Sequence, residues 1–152
     1  VAHSFPTRRS SDLIKELAEY EKMLDQVEAI EALIENWVFE KKTARVLLAY
    51  VDDTPVGFAL FFYHFSTFVG KAGIYIEDIY IQKEFRGLGL GKMLFQTIAQ
   101  MAIDEGCGRV EWSCLDWNKP SIEFYLSLGA KPMKGWTVYR LETSEIQRLA
   151  QK

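Results

Sequence analysis

The stretch EFRGLGLGK, from Glu84 to Lys92, sets Gly87, Gly89 and Gly91 on alternate positions behind a single arginine, just ahead of an apolar pattern of helical period. Glycines clear side chains from the backbone so that N–H groups can reach a ligand. The first turn of a helix adds unpaired donors and the positive end of its dipole. With the Arg86 guanidinium this is the chemistry of a phosphate site. A plain glycine-rich turn would carry the same glycines, and Arg86 is what favours the anion. Two common phosphate motifs do not fit. A Walker loop needs Ser or Thr after its Lys, where Met93 stands, and a dinucleotide fingerprint needs its third Gly where Lys92 stands.

Upstream, IYIEDIYI (74–81) is almost continuously apolar except for Glu77 and Asp78. A strand covered on both faces rarely carries an unpaired acid, so Glu77 reads as a candidate proton acceptor whose pKa burial would raise, the alternative being a solvated face residue or the partner of a lysine. Strand alternation puts Asp78 on the opposite face, either binding a substrate cation or solvated. Downstream, in LDWNKPSIEFYLSLGA (115–130), Asn118 can cap a helix that has Pro120 in its first turn and Gly129 at its end. That helix carries Tyr125, which by itself reads as an amphipathic tyrosine with its ring on the core and its hydroxyl in water.

The elements that must position these residues follow from periodicity. Leu13, Ile14, Leu17 and Ala18 mark one amphipathic helix, and Val27, Ile30, Ile34, Trp37 and Val38 mark a second. RVLLAYV (45–51), the turn DDTP (52–55) and VGFALFFYHF (56–65) predict an antiparallel hairpin, with 74–81 as the third strand. Leu94, Ile98, Met101 and Ala102 give a helix ending near Gly106, and RVEWSCL (109–115) a strand parallel to the third by a crossover. WTVYRL (136–141) predicts a last strand before a short terminal helix. VAHSFPTRRSSD (1–12) has no periodicity and is expected to be a foreign or disordered segment, leaving 13–152 as a single domain.

The chain of 152 residues is 49% hydrophobic and 26% charged, with a net charge of −3. Nothing clusters Lys and Arg as nucleic-acid binding requires, and a mildly acidic surface suits a cationic substrate. Cys107 and Cys114 are too few for a disulfide framework and lack metal-ligand spacing, so no metal and a cytoplasmic setting are expected. No apolar run is long enough to span a membrane.

The loop EFRGLGLGK, the acidic strand before it and the segment 115–130 after it, in this order, resemble the GNAT acetyltransferase superfamily, nearest to its diamine (spermidine/spermine and thialysine) branch. The resemblance covers about Ile14 to Leu141. It implies an α/β fold with a central mixed, mostly antiparallel sheet flanked by helices, and transfer of acetyl from acetyl-CoA to a small-molecule amine. It places the coenzyme's diphosphate on Arg86, Gly87, Leu88, Gly89, Leu90, Gly91 and Lys92, and its arm on Asn118 and on the backbone of Ile79 and Ile81. Glu77 becomes the base and Tyr125 the acid that protonates the leaving thiolate. Family members open with a strand where 1–12 stands, so that strand is expected to be missing or replaced. Polyamine-specific members carry an acid and a tryptophan in the loop where this chain has Ser66 and Phe68, which favours a small amine or a lysine-like side chain; Phe68 is, with Asp78, a candidate substrate contact, the alternative being core or loop packing. A homodimer is implied by the same likeness. A protein N-terminal or lysine acetyltransferase and a non-catalytic acyl-CoA-binding module are the alternatives on this fold.

Overall fold

The computed structural model describes residues 7–151. Its elements, in order, are α1 (Thr7–Tyr20), a single turn at Leu24–Gln26, α2 (Glu31–Ile34) running on as a π-helical segment (Glu35–Glu40), then β1 (Arg45–Val51), β2 (Thr54–Ser66) and β3 (Lys71–Ile81). A turn at Lys83–Phe85 leads to α3 (Leu90–Asp104), followed by β4 (Val110–Trp112), α4 (Lys119–Ser127) and α5 (Thr143–Ala150). The strands pair in the order β1-β2-β3-β4, antiparallel twice and then parallel across α3. This is the mixed, mostly antiparallel sheet that the sequence implies.

Two differences stand out. Residues 7–12 belong to α1 instead of lying outside the fold, because RRSSD contains neither Gly nor Pro and continues into a helix anchored by buried Leu13 and Leu17. Residues 1–6, where a replaced strand is expected, lie outside the described residues. The segment 136–141 forms no ladder. Trp136, Val138 and Tyr139 are mostly exposed, and strand propensity expresses itself only where a neighbouring strand supplies pairing and packing.

Backbone contacts divide the chain into two compact units, one running to Leu115 and one starting at Asp116. In the first, α1 covers one face of the sheet, where Leu13 and Leu17 pack with Val46, Leu48 and Phe58 and are flanked by Leu60 and Tyr80. Alternation turns Leu47, Ala49, Ala59 and Phe61 to the other face, and α3 buries Leu94, Phe95, Ile98 and Ala102 against the sheet. Arg45 donates to Glu105 (2.9 Å) and to the Tyr63 hydroxyl, which itself donates to Glu105, so the end of α3 is clamped to β1 and β2. Among the described residues no helix is long and apolar enough to cross a membrane.

β2 and β3 approach closely where Gly57 faces Ile81. A Cβ on Gly57 would lie 2.4 Å from Ile81 Cδ1 and 2.6 Å from the Tyr80 carbonyl oxygen. The Ile81 side chain can turn away, but the strand backbone cannot. Gly57→Ala is therefore expected to cost about 1–3 kcal/mol, read as a lowered Tm by circular dichroism. An unchanged Tm would mean that β3 yields at this point.

Candidate active site

The acids sit where β3 breaks its own rhythm. Leu60 of β2 pairs with Asp78 and Phe61 with Ile76, so Glu77 has no partner across the ladder and forms a β-bulge. Leu60 and Phe61 are adjacent and face opposite sides of the sheet, and directly paired residues share a side. Ile76 therefore lies on the α3 face, whereas Asp78, two positions on, lies on the α1 face. Unbroken alternation would have put both together in the core. The bulge ejects Glu77, which is exposed, and half-buries Asp78 beside the end of α1.

The desolvation that sequence reasoning assigned to Glu77 thus falls on Asp78. Burial first, then the charges of Glu77 and Glu21, push Asp78 up from 3.8 to about 7. Glu21 is itself half-buried and raised by burial. It went unnoticed in the sequence, although a signal exists: ELAEYEK loads acids onto the C-terminal end of a helix, where the dipole disfavours them. Glu21 and Glu77 thus both act on Asp78, and a cation beside Asp78 would relieve the cost of its charge.

Past Asp78, β3 runs on to Ile81, but β4 pairs only with Ile74, Tyr75 and Ile76. Ile79 and Ile81 hydrogen-bond partners are therefore β2 residues on one edge, opposite Ala59 and Gly57, with no β4 residue on the other. The Ile81 carbonyl accepts from Arg86 Nε (2.9 Å). Gly87 and Gly89 follow with φ of 81° and 83°, left-handed values that suit glycine, and nothing lies within 4 Å of a Cβ built on either. Gly89 is the N-cap of α3 and supplies no side chain. The first intrahelical bond runs from Met93 N to the Gly89 carbonyl (3.0 Å), so the N–H groups of Leu90, Gly91 and Lys92 precede it. Leu88 and Lys92 are exposed. Open space over two bare turns, a helix N-terminus and a guanidinium fit a diphosphate.

The hairpin does not bring Phe68 to the acids. Phe68 is 97% exposed in the turn between β2 and β3, and six strand residues separate the start of β3 from Glu77, roughly 20 Å of chain. In the second unit, Asn118 caps α4, its Oδ1 accepting from Ser121 N (3.4 Å), and Tyr125 is half-buried with its ring 5.8 Å from that of Phe124. The cap is the local one that the sequence predicts, and Pro120 lies in the first turn of α4 as expected.

The acetyltransferase (GNAT) family matches residues 11–130. This chain belongs to the GNAT acetyltransferase family. It is 38% identical over 152 residues to the thialysine N-epsilon-acetyltransferase of Bos taurus, covering 92% of this chain and 89% of that one. It is 32% identical to the spermidine/spermine N(1)-acetyltransferase-like protein 1 of Homo sapiens, over 91% of this chain and 21% of that protein. Among solved structures, an integron cassette protein from the mobile metagenome of V. cholerae superposes with a TM-score of 0.75 at 28% identity, covering 90% and 86% of the two chains. The branch that the motifs suggest and the branch of these relatives coincide. As a GNAT acetyltransferase the chain is an enzyme of acetyl transfer.

The raised Asp78 carries a sign for stability. Its folded pKa lies above its unfolded one, so it stabilises the fold fully below about pH 4, and that contribution is lost as pH rises through about 7. Asp78→Asn, which never ionises, is expected to unfold several degrees above wild type at pH 8 and to lose most of that advantage near pH 4. Equal Tm differences at both pH values would show that Asp78 is not held protonated.

Proposed function

We propose that this enzyme acetylates the primary amine of a small diamine or lysine-like molecule, with thialysine and lysine preferred over spermidine. The observation that carries this reading is the half-buried Asp78, raised to about 7 beside Glu21 and Glu77. Burial and the two neighbouring acids disfavour the ionised form of Asp78, a cation beside it favours that form, and a primary ammonium is such a cation. The thialysine acetyltransferase relative points the same way.

Coenzyme A, when bound, supplies the acetyl group as a thioester. Arg86, the N–H groups around Gly87, Gly89 and Gly91, and those of Leu90 and Lys92 hold its diphosphate, with Leu88 beside them. The Ile79 backbone and the Ile81 N–H hold its arm as an added strand would, and Asn118 joins them. Asp78 binds the ammonium. Near pH 7 removing its proton costs on the order of 4 kcal/mol, and Glu77, turned outward by the bulge, accepts that proton directly or through a water. The freed nitrogen pair forms the new N–C bond as the C–S bond breaks. Tyr125 donates its hydroxyl proton to the departing sulfur and is restored by the second proton, which the acylated nitrogen sheds to become the neutral amide. A backbone N–H of β3 polarises the thioester carbonyl.

The test is release of free thiol from acetyl-CoA with thialysine, lysine, putrescine and spermidine. Turnover is expected to be greatest with the lysine-like pair. Glu77→Gln and Tyr125→Phe should each lower kcat by about 10²–10⁴-fold. The kcat/KM profile should rise through about pH 7 as Asp78 ionises, a limb that Asp78→Asn removes. Wild-type rates in both Glu77→Gln and Tyr125→Phe would refute the chemistry. Coenzyme binding without turnover of any amine would leave an acyl-CoA-binding module.

A further inference from the structure

The Arg86 side chain is held from an unexpected quarter. Its guanidinium carbon lies 4.8 Å from the centre of the Tyr20 ring and 5.6 Å from that of Tyr80. Its Nε is tied to the Ile81 carbonyl. Tyr80 belongs to the strand that leads into the glycine loop, but Tyr20 is the last residue of α1, some sixty positions earlier in the chain. It falls three and seven residues after the buried anchors Leu17 and Leu13, on the helix stripe that faces the sheet. One turn earlier on α1, Glu16 accepts from the Gln82 side-chain amide through both carboxylate oxygens (3.2 and 3.0 Å). Residues 16 and 20 of the helix thus meet residues 82 and 86 of the connection from β3 to α3, each pair spaced by four.

The chemistry of this contact differs from that of an ion pair. A carboxylate on Arg86 would occupy its in-plane N–H groups and cancel the charge that a diphosphate needs. Aromatic rings hold a guanidinium without neutralising it, and although one side-chain hydrogen bond joins Arg86 to Tyr80, the five N–H donors of the fork leave others for a ligand. Face contact also restricts a long side chain whose freedom would otherwise be lost only on binding.

We propose that Tyr20 is a positioning residue for the coenzyme site: through its stack on Arg86, the end of α1 aims the guanidinium at the diphosphate. This rests on the assignment of EFRGLGLGK to the coenzyme. The same helix end that carries Glu21 to Asp78 therefore also sets the anion site, so one element adjusts both halves of the reaction.

The test is calorimetric titration of coenzyme A, at one fixed salt concentration, into wild type, Tyr20→Leu, Tyr20→Phe, Arg86→Ala and the Tyr20→Leu/Arg86→Ala double variant. Tyr20→Leu is expected to weaken binding about two- to fivefold, the worth of an exposed cation–π contact, and to raise KM for acetyl-CoA without lowering kcat. Tyr20→Phe, which keeps the ring, should restore wild-type affinity. With Arg86 already Ala, Tyr20→Leu should change nothing further, because the interaction it removes is gone. A Tyr20→Leu effect of equal size in both backgrounds would make Tyr20 a packing residue and overturn the proposal, as would wild-type affinity in Tyr20→Leu. Wild-type affinity in Arg86→Ala would instead remove the coenzyme assignment on which the proposal stands.

Discussion

One unpaired residue in a strand sets the phase of the site. The bulge at Glu77 shifts the side-chain alternation of β3 by one position, so that Ile74 and Ile76 remain in the core beneath α3 while Asp78 and Tyr80 turn to the α1 face. Three consequences share this cause. Glu77 is thrust into solvent, where it can exchange protons. Asp78 is desolvated among carboxyls. Tyr80 comes round to the side on which Arg86 rests. Had β3 continued without interruption, Asp78 would have entered an apolar core with no charge to meet it, a far more costly placement.

α1 supplies the other wall. Leu13 and Leu17 fasten it to β1 and β2, which is ordinary helix-on-sheet packing. Within and just past that anchored stretch it meets the candidate site: Glu16 accepts from Gln82, the Tyr20 ring lies against Arg86, and Glu21 raises Asp78. Ionised, Asp78 is destabilising beside Glu21 and Glu77, and the burial of the leucines a turn or two earlier offsets that cost. This division is physically economical, since a rigid apolar base tolerates strain at its tip.

Much of the architecture was legible in one dimension. The β1–β2 hairpin, β3, the α3 helix after the glycines, the parallel fourth strand and the Asn118 cap all follow from period, turn chemistry and capping, because each depends on neighbours close in sequence. The same local reasoning overreached at 136–141, where WTVYRL has strand composition but no ladder, and fell short at 7–12, where helix propensity without breakers is a weak signal until Leu13 and Leu17 find a sheet to cover.

The candidate residues for the chemistry, the glycine loop with Arg86, the adjacent acids and the order of the motifs were determined by the sequence alone, since backbone freedom, charge and spacing are properties of the chain itself. Which acid is buried was decided only by the tertiary structure, because a bulge is a mismatch between two strands and exists in neither one separately. The neighbours of Tyr20 and Glu21 were likewise set by folding. Their partners lie some sixty residues away, and only the packing of α1 on the sheet brings a ring to a guanidinium and a carboxyl to another carboxyl.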